Sequence, residues 1–161
     1  MAKPEYRLQA LLEIRERKKE EAEHALGDAM AAHKREQDKE RQMELELERM
    51  IARREERRRE YSEKAMRGEM SAQAVVASNG FIERLREQEI AQKEAIASQH
   101  EVVLQKEREV ENARGVLVTA TQDLKALEKH KEKFIEDWKK EMQAKEEDTM
   151  DELAQQMFLR K

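Results

Sequence analysis

The chain has 161 residues, and 43% of them are Asp, Glu, Lys or Arg, against about 25% in an average globular domain. Aromatic residues make up 4%, apolar residues 38% with alanine included, and there are four glycines and a single proline, Pro4. The Gly, Pro, Asn and Asp clusters that closely spaced turns require are missing, which excludes sheets and ordinary globular cores and leaves long helices or disorder.

Charge and cysteine content narrow the class further. Thirty-three basic and thirty-seven acidic residues leave a formal charge of −4, with the two signs interleaved. A phosphate-binding protein would carry a basic footprint, so no nucleic-acid partner is expected. The absence of cysteine excludes disulfides, thiolate nucleophiles and zinc–thiolate sites. No stretch approaches the ~20 apolar residues of a membrane span, and the opening Met1-Ala2-Lys3-Pro4-Glu5-Tyr6-Arg7 has no signal-peptide character. The chain therefore reads as soluble and cytoplasmic, with no direct membrane insertion.

In chain order, the first element is a helix over residues 5–66. Leu8, Leu11 and Leu12 open its apolar stripe, Ala22, Ala25 and Ala29 continue it, and Met43, Leu47, Met50 and Ile51 close it. Between Ala32 and Met43 the stripe is nearly all charged, which predicts the loosest packing there. Gly27 in this helix and Gly115 in the next each cost about 1 kcal/mol relative to alanine; both read as points of close helix approach. A turn follows over 67–71, because Arg67-Gly68-Glu69-Met70-Ser71 places a C-cap glycine shortly before an N-cap serine. Asn79-Gly80 is a weaker candidate break, since Ala72 to Ala77 already starts a helix.

The second helix is predicted over 72–157, and its pattern decides against disorder. Alternate steps of three and four from Ile82 visit Leu85, Glu89, Gln92, Ile96, Gln99, Val103, Lys106, Val110, Ala113, Leu117, Ala120, Leu124, Leu127, Lys131, Phe134 and Trp138; twelve of these seventeen are apolar. A repeat of 3.5 residues that never slips is a coiled-coil seam. A short connection makes the neighbours antiparallel. The expected fold is all-α: two long helices forming an antiparallel coiled-coil hairpin, a single rod over residues 1–161. At ~1.5 Å per residue the second helix extends about 130 Å.

Folding about the turn pairs residues whose numbers sum to about 138, placing Leu12 near Leu127 and Leu8 near Lys131. Residues beyond about 135 then form an overhang without a partner from the first helix. That overhang holds Trp138, Met142, Met150, Leu153, Met157, Phe158 and Leu159. An unpaired apolar stripe in water points to a missing partner; the alternative is a tail that packs loosely or dimerises.

No catalytic constellation emerges. None of the glycines at 27, 68, 80 and 115 belongs to a phosphate loop. His24 and His33 point to opposite sides of one helix, and His100 and His130 have no metal-ligand spacing to each other. Carboxylate runs such as Glu55-Glu56 and Glu146-Glu147-Asp148 read as solvated helix faces. The expectation is a protein that is not an enzyme, with no catalytic residue, no cofactor and no metal. The basic run Arg15 to Lys19, near the free end, is either a solvated face or a contact for an acidic partner. Phe81, Ile82 and Leu85 form an aromatic–aliphatic cluster near the turn, serving as core or as a docking site.

Three segments carry a resemblance. The opening Tyr6-Arg7-Leu8-Gln9-Ala10-Leu11-Leu12-Glu13-Ile14-Arg15-Glu16-Arg17-Lys18-Lys19-Glu20-Glu21-Ala22, the segment Phe81-Ile82-Glu83-Arg84-Leu85, and the ending Met150-Asp151-Glu152-Leu153-Ala154-Gln155-Gln156 with Arg160-Lys161 resemble the FliJ family. FliJ is the coiled-coil component of the flagellar type III export apparatus; its injectisome counterpart, the SctO/YscO family, shares the architecture and stands as the alternative. The resemblance implies a non-catalytic stalk similar to the gamma stalk of rotary ATP synthases, its paired helix ends entering a hexameric FliI-like ATPase. On that reading Leu8, Leu12, Arg15, Lys18, Trp138, Met142, Met150 and Leu153 would meet the ATPase ring. It further implies links to a FlhA-like export gate protein and to export chaperones, with the protein peripheral at the cytoplasmic side of the inner membrane. Phe81 and Leu85 match the first two positions of the family's gate-contacting face, whereas Gln88 and Gln92 do not match the next two. A generic coiled-coil scaffold or spacer remains the rival reading.

Overall fold

The computed structural model describes residues 3–160. It contains two long helices, α1 (Gln9–Met66) and α2 (Ala72–Leu159), packed against each other as an antiparallel helical hairpin. The chain divides into two compact units. One joins the segment up to Leu26 with that from Ala113 onward; the other is Gly27–Asn112 and contains the turn.

The turn-bearing unit shows why the hairpin reverses where it does. Gly68 has φ +73°, a left-handed conformation that costs other residues a Cβ clash. The amide of Glu69 donates to the Lys64 carbonyl at 3.1 Å, and that of Gly68 to the Ala65 carbonyl at 3.1 Å. That pair of bonds is a Schellman cap, which satisfies carbonyls the helix end would leave open. Ser71 Oγ then accepts from the Ala74 amide at 3.1 Å and caps α2. Asn79-Gly80, by contrast, lies inside unbroken helix.

Both helices follow the 3.5-residue repeat. In α2 all seventeen predicted seam positions are buried or half-buried, and the fully buried ones include Ile82, Leu85, Val103, Val110 and Leu124. Each such apolar side chain contributes about 1.5–3 kcal/mol over exposure. The facing positions of α1 are chemically different. Within Gly27–Asn112 they run Ala29, His33, Glu36, Glu40, Met43, Leu47, Met50 and Arg54.

Polar seam residues need partners, and the turn-bearing unit supplies them. Gln99 Nε2 donates to the Glu36 carbonyl at 3.0 Å and to its Oε2 at 2.6 Å. Gln92 Nε2 donates to the Met43 carbonyl at 3.0 Å, and His100 Nδ1 lies 3.0 Å from Glu40 Oε1. The charged stretch expected to pack most loosely is thus bridged by side-chain-to-backbone bonds. Near the turn, Arg54 Nε meets both oxygens of Glu89 at 2.9 and 2.7 Å, with side chains only 15% and 7% exposed. Hydrogen bonding to Glu89 raises the Arg54 pKa further above its ordinary value, burial opposing it. Among the described residues no buried side-chain N or O atom lacks a partner.

Four local expectations are corrected. The helix α1 begins at Gln9 and not at residue 5, because Pro4 and a turn closed by the Gln9 amide on the Tyr6 carbonyl at 3.0 Å occupy the start. Leu8 is half out of the seam, at 37% exposure. Ala25 is exposed while Leu26 is half-buried, the position that the three–four alternation after Ala22 selects. Gly27 and Gly115 do not mark close approach, since a Cβ at either would meet open space.

Candidate docking surface beside the chain termini

In the unit that holds both chain termini, residues 3–8 are fastened to α2. The Tyr6 ring lies 5.4 Å from Phe134 and 5.7 Å from His130, centre to centre. Its hydroxyl is 2.6 Å from His130 Nδ1. Lys131 Nζ sits 6.0 Å from the centre of the Tyr6 ring and donates to Gln9 Oε1 at 2.8 Å, combining a cation–π contact with a hydrogen bond. These contacts enclose a groove of about 890 Å³, with Ile135 and Trp138 as its apolar wall. Its charged lining is Lys3, Arg7, Lys131 and Lys139 against one carboxylate, Glu5. In a chain of net charge −4, this is a local cationic, aromatic-walled recess.

Past the groove, α2 continues without cover. Met142 is half-buried, and every described residue from Gln143 to Arg160 is exposed. Met150, Leu153, Met157, Phe158 and Leu159 are between 50% and 83% exposed. A fully exposed helix with large apolar residues within a few turns is a candidate interaction surface.

The residues expected to meet a partner separate into two groups. Leu8, Lys18, Trp138, Met142, Met150 and Leu153 reach the surface wholly or in part. Leu12, 5% exposed, lies in the seam, and Arg15 is turned onto Asp123 at 3.1 Å. Those two hold the hairpin together. The groove itself was not anticipated: Tyr6, Lys131 and Lys139 were not read as one site. The available signal was an aromatic residue two positions after Pro4 whose predicted partner, residue 132, lies two positions from Phe134.

Nearer the turn, Phe81 is half-buried, with its ring edge-on to Tyr61 at 6.5 Å and the Arg84 guanidinium 5.9 Å from its centre. Leu85 is buried in the seam at 7% exposure, so of this pair Phe81 offers the accessible surface. Among the described residues no group of three or more His, Cys, Asp or Glu side chains is placed to hold a metal. No described helix is long and apolar enough to cross a membrane.

A hairpin whose conspicuous features are a polar-bridged seam, a cationic recess and an uncovered amphipathic tail belongs to the class of structural coiled-coil proteins. More narrowly, the chain belongs to the YscO-like family, described as YscO-like protein, which matches residues 3–161. That membership makes it a type III secretion component. Its fold is similar to that of CT670 from Chlamydia trachomatis, a protein described as a YscO homolog. The TM-score is 0.82 at 24% identity, over 96% of this chain and 94% of that one. No curated protein matches the chain.

Proposed function

We propose that this protein is the non-catalytic stalk of a type III secretion apparatus, binding a hexameric secretion ATPase through the groove and tail of its terminal unit. The observation that carries the reading is the tail of a YscO-like chain left uncovered from Gln143 to Arg160, directly after a cationic recess. A helix with apolar and charged faces exposed together suits a ring interior. There it biases ring subunits among conformations by making different contacts with each, a population shift and not chemistry of its own.

YscO-like membership favours an injectisome system over the flagellar one. The same reading has the protein escort export chaperones and meet an export gate protein of the FlhA type through Phe81, placing it at the cytoplasmic side of the inner membrane by way of the apparatus. Truncation after Asp137 removes Trp138 and the whole tail while leaving the seam positions from Ile82 to Phe134. It is expected to abolish stimulation of the ATPase with helicity otherwise retained by circular dichroism. Full stimulation by the truncated chain would contradict the assignment.

A further inference from the structure

The groove beside the termini exists because α1 starts late. Gln9 opens α1 and accepts from Lys131, so α2 beyond Lys131 faces the non-helical residues 3–8 instead of a helix. Among the described residues of that segment, Tyr6 alone hydrogen-bonds or stacks onto α2, through His130, Lys131 and Phe134. This one anchor keeps Lys3 and Arg7 in the lining, so cations reach the groove from both chain segments.

The positive charge is not compensated within the chain. Among the described residues, Lys3, Arg7, Lys131 and Lys139 form no ion pair, and Glu5 is the one carboxylate in the lining. The acidic residues of the tail, from Glu146 on, are carried past the groove by a helix continuous to Leu159.

We propose that the groove seats a short acidic segment of a partner protein, with Tyr6 as the clasp that builds the site. Carboxylates of the segment meet the four cations, and an apolar side chain lies against half-buried Ile135 and Trp138. Charge complementarity sets the sign of the occupant; the apolar wall selects a peptide over a bare anion. A nucleic-acid strand fits poorly, because it would run past Glu132, Glu136 and Asp137, all exposed on α2. A volume of about 890 Å³ suits a few residues and not a folded domain. The inference deepens the stalk reading, and it rests on that reading only for the protein that carries the segment, the ATPase ring.

Trp138 is the single tryptophan of the chain, so its fluorescence reports occupancy of the groove. The full chain is titrated at low salt with a blocked peptide of four glutamates around one leucine, and with the same peptide carrying glutamines. The glutamate peptide is expected to shift Trp138 emission saturably below about 1 mM. The glutamine peptide is expected to leave it unchanged, and added salt to weaken the response. Lys3→Gln together with Arg7→Gln should weaken binding about fivefold. Tyr6→Ala should weaken it at least as much, and combining it with the Lys3 and Arg7 changes should add little, since the clasp is already open. Tyr6→Phe keeps the ring contacts and is expected to retain binding.

No saturable shift with the glutamate peptide overturns the proposal. So does an equal response to the glutamine peptide, or a Tyr6→Ala effect that adds in full to that of the Lys3 and Arg7 changes. Peptide binding without any effect on ATP hydrolysis supports the groove and removes the ring as source of the segment. Stimulated hydrolysis without peptide binding leaves the stalk reading and removes the groove.

Discussion

Arg54 and Glu89 illustrate how single residues set the register of this seam. Two charges are placed where neighbouring repeats carry Met50 and Leu85, and the guanidinium donates to both carboxylate oxygens. The carboxylate raises the arginine's pKa, so the arginine's contribution is fully present at neutral pH and lost only as pH climbs through that raised value. Replacing Arg54 by alanine leaves Glu89 desolvated and alone. The expected loss is about 2 kcal/mol in urea denaturation, below the 3–5 of a fully enclosed pair because a two-helix seam lies close to water. The double change Arg54→Leu with Glu89→Leu is expected to recover most of that stability while loosening register. Glu89 and Gln99 were legible as seam positions from spacing alone. Their partners were not, because periodicity fixes which face a residue occupies and says nothing of which carbonyl or guanidinium waits opposite.

At the scale of the helices, apolar content is distributed unequally. The seam of α2 is mostly apolar, so its phase could be followed through the chain; that of α1 mixes Ala, Leu and Met with Arg, Lys, His and Glu. An apolar pattern therefore fixed α2 closely and misplaced Ala25 and Leu8 in α1, where the strict three–four spacing from Ala22 selects Leu26 and then polar positions such as His33 and Glu36. The glycines were misread for a related reason. Sequence shows that Gly27 and Gly115 interrupt helix propensity but cannot show that nothing approaches them. Since each has open space around it in regular helix, Gly27→Ala and Gly115→Ala are each expected to stabilise by about 0.5–1 kcal/mol. Gly68→Ala should do the opposite, costing about 1–2 kcal/mol because φ +73° is retained by the Schellman cap. Thermal unfolding of the three variants checks both signs.

For the whole molecule, the fold and the class were readable from the 3.5-residue repeat and the cap residues around Gly68. The candidate docking surface was half readable. Its tail stood out because apolar residues continued past the end of the predicted pairing. The groove did not, because it is built by Tyr6, Lys131 and Trp138 from segments about 125 residues apart in sequence, and only the antiparallel fold joins them. On the proposed stalk reading, the effect of this protein is read on another protein. The direct test is steady-state ATP hydrolysis by the cognate secretion ATPase with and without the full chain, alongside a light-scattering mass of each mixture. The account predicts stimulated hydrolysis together with a shift of the ATPase to a hexamer carrying this protein. Unchanged hydrolysis, with the two proteins eluting apart, would contradict it.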